Sequence, residues 1–276
     1  MTIVAVGISE SEAHCCSDSK ISNSGNAASG LTDLSAKILC FSYFSHFSVK
    51  KPRKRVSSLA RSAVFCYAGS TLVANSVFAI GSNFCRNLYR NDKRTQASLK
   101  DVAEVFNYIF QQVMTDINSR RTPNSFVDCE FSLLGFCPKD KRFRAFHVCS
   151  KADIQGWSSE VFELANPGWC VLGDKLAFHK HLNKHKQVSH LSGQMPSIAD
   201  VVRDAINDPE FPGVGGDVQI AICSKTGIDF APIMSKTTDP KVVRKQFCGV
   251  DLDNFQKTSG GFLIGDHGEG TLWRGD

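Results

Sequence analysis

Apolar residues in this chain recur with two different periods, and the order in which the periods alternate limits the folds open to it. Residues 2–7 (Thr-Ile-Val-Ala-Val-Gly), 13–17, 36–41 and 62–68 are short runs of strand character. Residues 71–89 and 98–119 then carry apolar side chains at helical spacing, with Ser70 or Thr71 placed to cap the first helix. Ser98 caps the second, and Asp101 stands at the distance of a capping box. Strand character returns at 131–136 and 143–148 around the turn Cys137–Lys141, and again at 169–172. Two more helices are predicted over 174–184 and 197–206, followed by a hairpin of 218–223 and 228–234 around Ser224–Gly227. Strands and helices thus come in blocks, which predicts an α+β protein rather than an alternating βαβ one. Two antiparallel sheets between two helix pairs, a four-layer αββα sandwich, would bury every apolar face named. Residues 21–33, rich in Ser, Asn, Gly and Ala, read as loop, and the polar, Gly-rich tail after 235 reads as irregular.

Composition agrees with one sizeable core, since 42% of the 276 residues are hydrophobic and 21% charged. The net charge of +5 is too mild to imply nucleic acid without a basic face. The one dense cluster, Lys50, Lys51, Arg53, Lys54 and Arg55, reads as a solvated hairpin loop. No run is apolar for long enough to span a membrane, and the first residues lack the pattern of a signal peptide. The 11 cysteines are odd in number and none has C-x-x-C spacing. Several sit inside apolar runs, as small buried hydrophobes do, and a cytoplasmic location is the expectation. His181 and His185 would share a helix face, as metal ligands can, but interleaved Lys180, Lys184 and Lys186 disfavour a cation there. No cofactor motif is visible, and no metal is expected.

The second residue carries the chemical interest. A threonine at the head of a mature chain needs little help to act as a nucleophile, because the free α-amine, with a pKa of about 8, is its general base. A nearby cation must stabilise developing negative charge, and a backbone N–H must receive the oxyanion. Methionine aminopeptidases cut before small residues, so Met1-Thr2 can yield such a terminus. Alone, Thr2 would be an ordinary strand residue.

Several further segments stand in a suggestive order: Ser17-Asp18-Ser19-Lys20, Ala36-Lys37-Ile38, Tyr67-Ala68-Gly69-Ser70-Thr71, Ser132-Leu133-Leu134-Gly135-Phe136 and Pro212-Gly213-Val214-Gly215-Gly216-Asp217. With the first strand, they resemble the proteasome β-subunit family of N-terminal nucleophile hydrolases and its bacterial Anbu-type relatives. The resemblance implies that fold over residues 2–234, with an insertion near 42–60 and an extension at 235–276. It implies Thr2 as nucleophile, Lys37 as its electrostatic partner, Asp18 as the group orienting Lys37, and the Gly69 amide as oxyanion donor. Tyr67 and Thr71 would line a groove that takes peptide or unfolded protein as an added strand. Asp174 stands where the family has a serine supporting the active amine, and Phe211 and Val214 replace two polar groups of a turn. The family's self-compartmentalising assemblies imply a homo-oligomer, a ring or stacked ring, with any ATPase activator unknown. A catalytically silent ring subunit, an amidase on a small molecule and a nucleic-acid binder are the competing readings.

Overall fold

A computed structural model of the chain describes residues 2–23, 26–48, 55–57, 60–90, 96–120, 127–153, 156–192, 197–231, 233–236, 243–247 and 250–251. In chain order the elements are β1 (Ile3–Ile8), β2 (Ala13–Ser17), β3 (Ile21–Asn23), β4 (Asn26–Thr32), β5 (Ile38–Tyr43), β6 (Ser45–Ser48), β7 (Arg55–Ser57) and β8 (Arg61–Gly69). There follow α1 (Thr71–Cys85), β9 (Leu88–Arg90), α2 (Leu99–Ser119), β10 (Cys129–Cys137), β11 (Arg142–Asp153), β12 (Gly156–Glu163) and β13 (Gly168–Gly173). The last are α3 (Lys175–Ser192), α4 (Ile198–Ile206), β14 (Gln219–Cys223), β15 (Ile228–Ala231), β16 (Ile233–Lys236), β17 (Val243–Phe247) and β18 (Val250–Asp251).

Two antiparallel five-stranded sheets dominate, ordered β13-β1-β2-β14-β15 and β12-β11-β10-β8-β5. Alternation along each strand sends its side chains to two different apolar cores. Phe65 and Tyr67 of β8 and Phe131 of β10 pack with Val77 of α1 and Phe106 and Phe110 of α2. Phe65 stacks on Phe131 at 4.9 Å between ring centroids. Ile3 and Ala5 of β1 pack instead with Phe178 of α3 and Val201 and Val202 of α4. Between the sheets, Val4, Val6 and Cys15 meet Val64, Cys66, Leu134 and Ala145. The capping box forms as the sequence predicts: the Ser98 hydroxyl accepts from the Asp101 amide at 3.1 Å, and the Asp101 carboxylate accepts from the Ser98 amide at 2.7 Å.

Some elements differ from the sequence expectations. Residues 21–33, expected as loop, hold the β3–β4 ribbon, whose Ser, Asn and Gly give periodicity nothing to read. The first helix, expected to reach 89, stops at Cys85, and Leu88 enters a small sheet of β7, β6 and β9. Residues 49–54, which hold most of the basic cluster, lie outside the described residues. The tail, expected to be irregular, forms the β16-β17-β18 sheet; residues 252–276 lie outside the described residues. No helix among the described residues is long and apolar enough to cross a membrane. The ten described cysteines are all free thiols.

For the site, one consequence of this topology matters. β1 is an interior strand, paired with β13 on one side and β2 on the other, so Thr2 stands at the head of a fully flanked strand. Asp18 leaves the end of β2. Lys37 immediately precedes β5, which is an edge strand of the other sheet.

Candidate active site

Three of the residues singled out in the sequence meet in direct contact. The Lys37 ammonium donates to Thr2 Oγ1 at 2.8 Å and to Asp18 Oδ1 at 2.9 Å. Lys37 reaches across from the second sheet to do so, and both charged side chains are almost wholly withdrawn from solvent, at 2% and 0% exposure. Asp18 Oδ1 also accepts from the Ile3 amide at 2.9 Å, and Oδ2 accepts from the Gly215 amide at 3.3 Å. Burial pushes the Asp18 carboxyl up, against the Lys37 charge and the backbone donors that favour the carboxylate. Burial likewise pushes the Lys37 ammonium down, against the pull of Asp18. Thr2 Oγ1 is therefore an acceptor facing a cation whose proton is held less firmly than in water.

The backbone of Thr2 is held as well. Its carbonyl accepts from the Asp174 amide at 2.7 Å, and Asp18 N donates to the Ile3 carbonyl at 3.3 Å. Gly173, beside it, adopts φ +78°; a Cβ there would lie 1.9 Å from the Thr2 carbonyl oxygen and 3.1 Å from Ala68 Cβ. Ala68 is thus brought against the same corner, with Gly69 next to it. Gly69 ends β8 at φ +96°, a conformation in which a side chain would strike the Asp128 carbonyl at 2.3 Å. From there the chain turns into α1, with Ser70 accepting from the Val73 amide at 3.4 Å as its cap.

The other predicted residues sit differently. Tyr67 is buried at 1% exposure, its ring in the core beside α1 and its hydroxyl donating to the Ala36 carbonyl at 3.4 Å. Ser35 and Thr71 also bond that hydroxyl, but burial outweighs them and holds it above its ordinary pKa. Thr71, the first residue of α1, is partly exposed. Asp174 meets Thr2 through its backbone amide alone among the bonds described. Its carboxylate turns the other way, accepting from the Ala177 amide at 3.0 Å at the start of α3. His181 and His185 do share a helix face, but each is paired with a carboxylate of the opposite segment, Asp208 and Asp204, both at 3.0 Å. No group of His, Cys, Asp and Glu among the described residues could hold a metal ion.

Sequence reasoning missed how the two glycine- and serine-rich motifs fit together. The Ser19 and Lys20 amides both donate to the Gly215 carbonyl, the Ser19 hydroxyl accepts from the Asp217 amide at 2.7 Å, and Lys20 Nζ donates to the Pro212 carbonyl at 2.8 Å. The 212–217 turn therefore wraps the 17–20 segment and fixes Asp18. Gln219 was also missed: on β14, it accepts from the Lys37 amide at 3.0 Å and donates to the Ser35 carbonyl. A glutamine in an otherwise apolar strand was the available signal.

The two stacked antiparallel sheets and the four helices among the described residues form a fold with known members. Three solved structures share it: Anbu (ancestral beta-subunit) from Yersinia bercovieri, an Anbu (Gly-1) mutant from Hyphomicrobium sp. strain MC1, and the helical assembly of the Anbu complex from Pseudomonas aeruginosa. The Yersinia chain is 13% identical, with 83% of this chain and 86% of that one covered at a TM-score of 0.52. The Hyphomicrobium chain is 12% identical, covering 84% and 85% at 0.55, and the Pseudomonas chain 13% identical, covering 84% and 86% at 0.54. At such identities the likeness is one of fold. No protein-family model and no curated protein matches the chain.

Proposed function

We propose that this chain is a proteasome-like subunit of the N-terminal nucleophile hydrolase class, built on a four-layer αββα sandwich, and that Thr2 is its nucleophile once Met1 is removed. The contact of Thr2 Oγ1 with Lys37, itself paired to Asp18 inside the protein, carries the reading. In the proposed reaction, the freed α-amine of Thr2 takes the proton of its own hydroxyl as Oγ1 attacks a peptide carbonyl. Lys37 stabilises the oxygen as it gains negative charge, and the Gly69 amide receives the carbonyl oxygen. The amine then passes its proton to the leaving nitrogen, leaving an acyl ester on Thr2 that water hydrolyses by the same route. Thr71, partly exposed at the start of α1, shapes the wall beside this corner, and substrate lies along it as an added strand; Tyr67, expected to line the groove, packs behind it in the core.

Two observations bear on assembly. Leu72, Ile80 and Phe84 of α1 are exposed at 70%, 41% and 56%, apolar side chains left uncovered on a helix that buries Val73, Val77 and Cys85. The Pseudomonas relative is described as a helical assembly. We read these side chains as a contact between copies of this chain in a homo-oligomer that encloses its sites. A silent structural subunit is the second reading, favoured by the Asp174 carboxylate turning to cap α3 and by apolar Phe211 and Val214 in the supporting turn.

Intact mass of the purified protein, before and after exposure to a β-lactone electrophile, separates the two. The enzyme reading expects loss of Met1 and one adduct, absent from Thr2→Ala. Retained Met1, or equal labelling of the alanine variant, would overturn it.

A further inference from the structure

The Thr2 carbonyl is fixed by the Gly173–Asp174 turn, and something must in turn fix the turn. Gly173 N donates to Glu130 Oε1 at 2.6 Å. The other oxygen of Glu130 meets His147 Nε2 at 2.8 Å. Glu130 belongs to β10, in the second sheet, whereas Gly173 ends β13 of the first; the carboxylate is therefore a polar tie between the sheets. Its place is unusual for an ionisable group. Glu130, Ser132 and Leu134 share one face of β10, and Leu134 faces the apolar layer between the sheets. His147 lies opposite Ser132, on the face that also carries Phe143 and Ala145. Glu130 and His147 are exposed by only 16% and 15%. Burial works to raise the Glu130 carboxyl, yet the His147 ring and the Gly173 amide together hold it below its ordinary value.

We infer that Glu130 is a positioning residue: braced by His147, it holds the Gly173–Asp174 turn against the Thr2 carbonyl and so aims the threonine hydroxyl. The inference rests on the proposed role of Thr2. Three ties then converge on one residue: Lys37 on the hydroxyl, Asp18 on the following amide, and Glu130 on the carbonyl through the turn. A carboxylate suits the task because its two oxygens serve two donors, and a charged acceptor binds an amide more firmly than a neutral one.

The test pairs Glu130→Ala with Glu130→Gln in the full chain. Glutamine keeps an oxygen for the Gly173 amide; alanine does not. Hydrogen exchange read by mass over residues 168–178 is expected to quicken about tenfold or more in the alanine variant, with the rest of the chain unchanged. Saturable acylation of Thr2 by a β-lactone is expected to lose about tenfold in its limiting rate, with the half-saturating concentration held within about twofold. Glutamine is expected to recover both. Unchanged exchange over 168–178 in the alanine variant, or a glutamine variant no better than alanine, overturns the inference. Should Glu130→Ala fail to fold, His147→Ala carries the test: it frees the carboxylate from its brace, so the same exchange must quicken. If the wild type is never acylated, the nucleophile reading of Thr2 fails by itself, and the exchange measurements alone decide whether Glu130 holds the turn.

Discussion

Replacing Asp18 with Asn puts a number on the buried pair. The substitution keeps size and one acceptor oxygen, which can still serve the Ile3 amide, but it leaves the Lys37 ammonium without its counter-charge at 2% exposure. Removing one partner of a buried pair typically costs about 3–5 kcal/mol. The lysine has an escape, however: it can give up its proton. From an ordinary value of about 10.4, neutralising it at pH 7 costs at most about 3.4 pH units at about 1.36 kcal/mol each, a ceiling near 4.6 kcal/mol. The new side-chain amide also confronts the Gly215 N–H that Asp18 Oδ2 now accepts, adding about 1 kcal/mol independent of pH. The sign of the pH dependence follows. The lysine's folded-state value is already lowered by burial, and without Asp18 it falls further. Between that value and the ordinary one, the unfolded chain binds more protons than the folded chain. Stability of the variant therefore rises with pH across this window. Urea denaturation at pH 7 and pH 9 is the assay. The expected gap from wild type is roughly 4 kcal/mol at pH 7, shrinking to roughly 2–3 kcal/mol at pH 9 as the ceiling drops by about 1.4 kcal/mol per unit. A gap under about 1 kcal/mol at pH 7, or one that widens toward pH 9, would refute the claim that Lys37 is charged and dependent on Asp18.

Lys37→Ala should abolish Thr2 acylation, and Lys37→Arg should not restore it, because a guanidinium is larger and does not surrender its proton; near-normal labelling of the arginine variant would make Lys37 a structural residue only. Phe84→Asp, at an exposed position of α1, should dissociate the oligomer while leaving the fold of the chain intact, since a buried unpaired charge costs several kcal/mol. Light scattering reads both states, and a wild type that is already a 30.3 kDa monomer would remove the assembly proposal.

Much of this was legible where local pattern and tertiary role coincide. The β1–β2 hairpin, the α2 capping box and the paired β10 and β11 each announce themselves through a period or a cap read within a dozen residues. Thr2, Asp18 and Lys37 were singled out differently, through short motifs that resemble those of the proteasome β-subunit family, and they meet in direct contact. β12 escaped because Gly-Trp-Ser-Ser-Glu-Val-Phe-Glu is an edge strand, polar along one side, and an edge needs no second buried face. α3 runs to Ser192 rather than 184, its apolar face being narrow among Lys, His and Asn. Glu130 could not be found locally: its target is a backbone amide 43 residues away on another sheet, so no side-chain pattern encodes it. A charged residue on the inward face of a strand was the sole hint.

The wrapping of residues 17–20 by the turn at 212–217 has a bearing on when the site comes into being. Asp18 and Gly215 are 197 positions apart, and β2 pairs with β14 only once the last fifth of the domain exists. A ribosome, adding about 5–20 residues per second, makes Asp18 well before the turn that secures it. Contacts so distant in sequence also close late in folding, after their loop entropy has been offset by nearer ones. On this arrangement a half-made chain lacks the ordered Lys37–Asp18 pair, and under the proposed function the site is completed only when residues 212–217 are in place.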